Sequence, residues 1–200
     1  MAPVSTRDRY HHGDLRTALV TEGVAAARAG GEAAVSLTRL AGAVGVSPSA
    51  AYRHFAGGID ELLVAIGDVA RRELADLVRR RVDAVSEDDV IGRFRASGAA
   101  YVDYVLGEPG IFEVACRHDR GRDPEADPFA LLQERIDRLA EAGLLRDGLD
   151  RDDAAMTAWS AVHGLGVLLT EGSLSRLPAA RRDALVAATL DTVERGLCVP

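Results

Sequence analysis

The stretch Ser47-Pro48-Ser49-Ala50-Ala51-Tyr52-Arg53-His54 gathers side chains suited to contact with a polyanion. Ser47, Ser49 and Ala50 are small enough to let a helix N-terminus enter a DNA major groove. Tyr52, Arg53 and His54 follow, each able to reach a phosphate or a base edge. Thr38 and Arg39 add donors just upstream. The expected division of labour places Ser47, Ser49, Ala50 and His54 toward bases. Thr38, Arg39, Tyr52 and Arg53 hold phosphates and set register, and Pro48 occupies the first helical turn. An ordinary helical hairpin carries the same small-turn-small pattern, so this stretch alone leaves both readings open.

Other reactive groups support weaker chemistry. Arg7 and Arg9 suit either an arm reaching a minor groove or a solvated tail. Adjacent His11 and His12 do not share a helix face, which argues against a metal pair. Asp123, Glu125 and Asp127 have the spacing that opens a calcium loop. Pro128 stands where that loop needs Gly for its sharp turn, which argues against calcium. Cys116, His118 and Asp119 lack a preorganised oxyanion site, so no catalytic residue, metal or cofactor is assigned.

The elements that must position these groups are helical. Hydrophobic residues recur at helical spacing almost throughout, and no strict alternation of strand type runs over five residues. Helices are expected at about 14–29, 36–44, 47–54, 59–85, 88–106, 111–116, 128–143, 150–170 and 178–197, with a loop over 117–127. Ser47-Pro48 marks a strong helix start, because a hydroxyl caps free N–H groups and Pro at the first position forfeits nothing. Gly45 can take the positive φ of a sharp turn. Leu37, Leu40, Val44 and Val46 make a small shared core around Ala41.

An acidic chain makes a poor nucleic-acid binder on its total charge, but the total is not what counts. The 200 residues carry a net charge of -7, and all 24 basic residues are arginine. The charge is uneven: residues 1–60 hold six arginines against five acids, and the remainder holds 18 against 26. Local charge decides attraction to nucleic acid. Two cysteines do not make a disulfide framework and suit a reducing cytoplasm. The longest uncharged run, Ala154–Thr170, contains Trp159, His163, Gly164 and Gly166, and reads as a buried helix in place of a membrane span.

The segment from Asp14 to Leu63 resembles the N-terminal domain of TetR-family transcriptional regulators. The matching residues are Ser36-Leu37, Leu40-Ala41, Gly45-Val46-Ser47, Ala51-Tyr52-Arg53-His54-Phe55, Gly57-Gly58 and Glu61-Leu62-Leu63. The resemblance implies that Phe55 packs the recognition helix onto the fourth helix and that Tyr52 touches phosphate. Family members often carry Lys where this chain has Ile59, so one ionic anchor is missing. Trp159…His163-Gly164 resembles the Trp-His-Gly signature of one subgroup, in which Tyr10-His11-His12-Gly13-Asp14-Leu15 is also common.

That likeness implies an all-α protein of about nine helices. Residues 1–58 form a three-helix helix-turn-helix DNA-binding domain, and residues 59–200 a helical ligand-binding and dimerisation domain. The expected function is a repressor released from a palindromic duplex operator by a small-molecule effector. Helices eight and nine pair with their copies in a homodimer; Ala184, Leu185, Ala188, Val193 and Leu197 form the stripe on helix nine. Tyr101, Tyr104, Phe112, Met156, Trp159 and His163, together with Phe94 and Phe129, are candidates to line a mostly apolar effector cavity. Core packing remains open for each singly. The alternatives are a dimeric small-molecule-binding protein that no longer binds DNA, or an enzyme.

Overall fold

The computed structural model describes residues 12–118 and 124–199. Arg7, Arg9, His11, Asp119 and Asp123 lie outside the described residues. The described residues form nine α-helices: α1 (His12–Ala34), α2 (Leu37–Val44), α3 (Pro48–His54), α4 (Ile59–Asp83), α5 (Val90–Gly107), α6 (Pro109–Arg117), α7 (Pro128–Glu141), α8 (Arg151–Thr170) and α9 (Ala179–Leu197). One 3-10 turn, Pro124–Ala126, precedes α7.

Local chemistry sets most boundaries. Ser47 caps α3 by accepting from Ala50 N, and Pro48 takes its first position. Asp127 and Asp150 cap α7 and α8 in the same way, accepting from Phe129 N and from Asp152 N and Asp153 N. Ser36 stands at the start of α2 without a side-chain cap bond. The Gly107–Gly110 run ends α5, but Pro109 also opens α6, where its missing N–H costs nothing. Gly31 (φ +65°) breaks α1 near its end, and three further residues regain helical form.

Two clusters of buried side chains make the core. The first runs from Leu19 of α1 through Leu37, Leu40 and Phe55 to Leu62 and Ile66 of α4, and on to Val105, Ile111 and Val114 of α5 and α6. Helix α6 lies so close on α1 that a Cβ on Gly110 would fall 2.3 Å from the Ala27 carbonyl oxygen. The second cluster joins Phe94, Leu132, Ile136, Leu139, Ala155, Ala158, Leu197 and Cys198. A bridge between Leu145 and Cys198 pins the chain end beside it.

This second cluster corrects two expectations. Phe94 belongs to it and does not line the cavity described below. Leu197 is buried in it and Val193 packs against it, so the lower part of the α9 stripe faces inward. On α8, Gly166 meets Val105 closely, whereas a side chain on Gly164 would meet nothing within 4 Å. No helix among the described residues is long and apolar enough to cross a membrane.

Candidate functional site

The first candidate surface is the exposed side of α2 and α3. Gly45 (φ +80°) makes the left-handed turn between them, and Ala41 at the contact is fully buried. Within α3 only Ala51 is buried. Thr38, Arg39, Ser47, Pro48, Ser49, Tyr52 and Arg53 are exposed, while Ala50 and His54 are half-buried. Ala50 packs partly against the first core, so it turns less fully outward than expected. The Ser47 and Ser49 hydroxyls lie 3.0 Å apart. The Arg39 guanidinium donates to the Ala34 carbonyl at 3.2 Å, leaving most of its fork toward solvent.

Arg16 of α1 holds this helix from behind, a role the sequence reading missed. Its guanidinium donates to the His54 carbonyl at 2.6 Å and pairs with Glu61 at 2.9 Å. It also lies 4.3 Å from the centre of the Phe55 ring, within cation–π range. Glu61 in turn accepts from Gly57 N at 3.0 Å, and this bond together with Arg16 holds its carboxyl below the usual range. One side chain thus fixes the end of α3, the glycine turn and the start of α4. Ile59 is half-buried against the core.

The second candidate site is a cavity of about 370 Å³ between α4, α5, α6, α7 and α8. Tyr101, Tyr104, Phe112, Met156, Trp159 and His163 all line it, as does Phe129. Its volume sits at the small end of the roughly 300–1,000 Å³ typical of ligand sites. Trp159 and His163 are four apart on α8, and their rings stack at 5.3 Å with 13° between planes. Tyr101 and Phe129 meet Trp159 edge-on at 5.1 and 5.7 Å. Phe112 meets Tyr101 edge-on at 6.2 Å. Met156 remains exposed, which places it at the mouth.

The cavity also has polar points. Tyr101 Oη lies 2.7 Å from His163 Nδ1. Burial pushes the Tyr101 hydroxyl up, with the charge of Cys116 adding to it, and pulls His163 down. Arg71, Cys116 and Asp127 share the wall. Arg71 is 9% exposed, donating to the Ala115 carbonyl at 3.0 Å and to Asp68 at 2.6 Å. The sequence carries a signal for it: Arg71 stands four after Gly67 and three before Leu74, in phase with the buried face of α4. Tyr104 donates to Glu73 at 3.2 Å. Glu73 pairs with Arg28 of α1 at 2.6 Å, and Arg28 reaches Glu108 at 3.0 Å.

Glu125 falls in the 3-10 turn, and Asp127 Oδ1 accepts from Phe129 N to cap α7. No group of three metal-ligating side chains gathers among the described residues. Both cysteines are free.

Comparison with known proteins adds to this geometry. A family model described as the tetracyclin repressor-like C-terminal domain matches residues 94–193. YobS, an uncharacterized HTH-type transcriptional regulator of Bacillus subtilis (strain 168), is 26% identical over 148 residues, spanning 71% of this chain and 72% of that protein. A protein of unknown function from Rhodococcus sp. RHA1 has a structure aligning at a TM-score of 0.77 and 27% identity, over 96% of this chain and 100% of its own. A TetR family transcription regulator from Marinobacter aquaeolei VT8 aligns at 0.65 and 17% identity, over 92% of this chain and 96% of its own, a likeness of fold alone.

Proposed function

Since the chain belongs to the TetR family of transcriptional regulators, we propose that it is a cytoplasmic repressor that reads a palindromic duplex operator with α3 and is released when a small molecule fills the cavity. Residues 1–58 form the DNA-reading part and residues 59–200 the effector and dimer part, within the subgroup bearing the Trp159…His163-Gly164 signature. One observation carries the reading: α4 begins directly behind the recognition helix, at the Arg16–Glu61 contact, and reaches the cavity wall at Ala70, Arg71 and Leu74. A single rigid element therefore touches both sites.

The outward side of α8 and α9 supports a homodimer. Thr157, Ser160, Gly164 and Leu168 on α8, with Ala184, Ala187 and Ala188 on α9, face away from the chain's own core. A two-fold pair presents two copies of α3 about one DNA turn apart, ~34 Å. Ser47, Ser49 and His54 then approach bases, while Thr38, Arg39, Tyr52 and Arg53 grip phosphates. At Ile59 the start of α4 offers its backbone N–H groups to phosphate in place of a lysine.

An effector releases the operator only if it prefers the spacing that does not fit DNA. A hundredfold loss of affinity needs about 2.7 kcal/mol of such preference. The Tyr104–Glu73–Arg28 chain offers a second route from the cavity to α1. Fluorescence anisotropy with duplexes from the region flanking the coding sequence tests the proposal. Saturable, sequence-dependent binding that falls steeply with salt supports it. Equal, weak binding to every duplex favours a ligand-binding dimer without an operator.

A further inference from the structure

Taking the cavity as the effector site, a reading on which this step rests, we infer that its ligand is an uncharged, flat aromatic molecule with one hydrogen-bond acceptor received by the ring N–H of His163. Three observations lead there.

The first is where the aromatic residues go. The chain has nine Phe, Tyr and Trp residues. Five of them, Tyr101, Tyr104, Phe112, Phe129 and Trp159, line this one cavity. Edge-on contacts at Trp159 and Tyr101 fix the rings at steep angles to one another. A flat π-system can meet such walls by offset stacking and edge contacts, which add to simple burial.

The second is charge balance. Arg71 and Asp127 both line the cavity, and Arg71 is already bonded to Asp68 and to the Ala115 carbonyl. Asp127 Oδ1 accepts from Phe129 N. An anionic ligand would meet a carboxylate as well as a guanidinium, and a cation would meet the reverse. With opposite charges lining one cavity, a neutral ligand is the one that leaves no charge uncompensated.

The third is the direction of one proton. Tyr101 is 4% exposed, and its hydroxyl lies 2.7 Å from His163 Nδ1. If Nδ1 carried the proton and donated to Tyr101, the tyrosine proton would be left in a buried site with no other acceptor among the described residues. The phenol therefore donates to Nδ1, and the imidazole proton sits on Nε2. Burial keeps both groups neutral near neutral pH. His163 Nε2 has no hydrogen-bond partner among the described residues, so its N–H is available to a carbonyl or ether oxygen.

Trp159 is the chain's one tryptophan, so its emission reports this cavity. The test titrates the full-length protein with 2-acetylnaphthalene, with 2-ethylnaphthalene, which lacks the acceptor, and with 2-naphthoate. The ketone is expected to quench Trp159 and to bind about tenfold more tightly than either companion, the worth of one good hydrogen bond. His163→Phe should remove that ratio between ketone and hydrocarbon, and His163→Gln, which keeps a donor, should retain part of it. Equal binding of ketone and hydrocarbon, tightest binding of naphthoate, or no quenching by any probe overturns the inference. Duplex binding by the same protein is scored separately. A protein that binds no duplex removes the regulator reading, whatever the naphthalenes do.

Discussion

Helix α3 turns six of its seven residues at least partly outward, and none of its exposed side chains is a large aliphatic. The cavity does the reverse, drawing more than half of the chain's Phe, Tyr and Trp residues around one pocket. The first surface suits a hydrated polyanion, whose phosphates must be met by hydrogen bonds and charge. The second suits a molecule that leaves water. The two ends also differ in how they are held. Helix α3 is clamped from behind by one arginine and one phenylalanine, whereas the cavity is framed by five helices. Damage to the clamp should therefore affect α3 sharply, and damage within the cavity should leave the shape of α3 intact.

The largest test of that contrast is Phe55→Ala. Phe55 is fully buried between α3 and the first core. Removing its ring should cost about 3–5 kcal/mol of stability, read from a urea unfolding curve, and should abolish duplex binding. A loss below about 1 kcal/mol would mean that α3 is not anchored through this residue.

Arg53→Ala separates reading from stability. Arg53 is exposed and has no ion pair with another described residue. Its loss should lower duplex affinity about tenfold and reduce the salt slope by about one, with stability changed by no more than about 0.5 kcal/mol. Tyr52→Phe should weaken binding to all sequences alike, since phosphates carry no sequence. A change confined to one operator position would instead assign Tyr52 to a base.

Arg28→Ala tests the link between the two ends. Removing it breaks the pairs to Glu73 and Glu108 while leaving both sites' own side chains in place. Operator affinity without ligand should hold, and the ligand-induced loss of affinity should shrink by about 0.5–2 kcal/mol. Identical release in the variant would place the coupling wholly in α4.

The smallest effect concerns pH. Burial holds His163 below its ordinary value of 6.5, so the unfolded chain binds this proton more readily than the folded one. His163 therefore takes nothing from stability above that value. Its penalty grows as pH falls below 6.5 and levels off beneath the folded value. Unfolding midpoints from about pH 7.5 to about pH 5 should show this component, and His163→Phe should lack it.

The pair α2 and α3 was almost wholly legible in the sequence because its signals are local. Ser47-Pro48 starts a helix by its own chemistry, and Gly45 announces the turn three residues earlier. The cavity was legible through the helical spacing of Trp159 and His163 and the clustering of Tyr101, Tyr104 and Phe112. What escaped depends on distance along and between helices. Phe94 shares a face with Tyr101, seven residues on, but seven residues are about 10.5 Å of helix, enough to land in the other core. Arg71 stands in phase with the buried face of α4, but the Ala115 carbonyl that receives its guanidinium lies 44 residues away and leaves no mark in the sequence. Arg16 likewise has no sequence mark, because its three partners lie 38 or more residues away. The stripe on α9 was divided by the Leu145–Cys198 bridge, which turns Leu197 inward.

The account stands most directly on what α3 binds. Selection of duplexes from a random pool by the full-length protein, repeated with Arg53→Ala, measures it. The wild type should enrich a palindrome whose half-site centres lie about one helical turn apart, roughly 10 base pairs, and the variant should enrich it weakly. A pool that stays random through successive rounds, or a motif enriched equally by both proteins, would contradict the claim that this helix reads DNA.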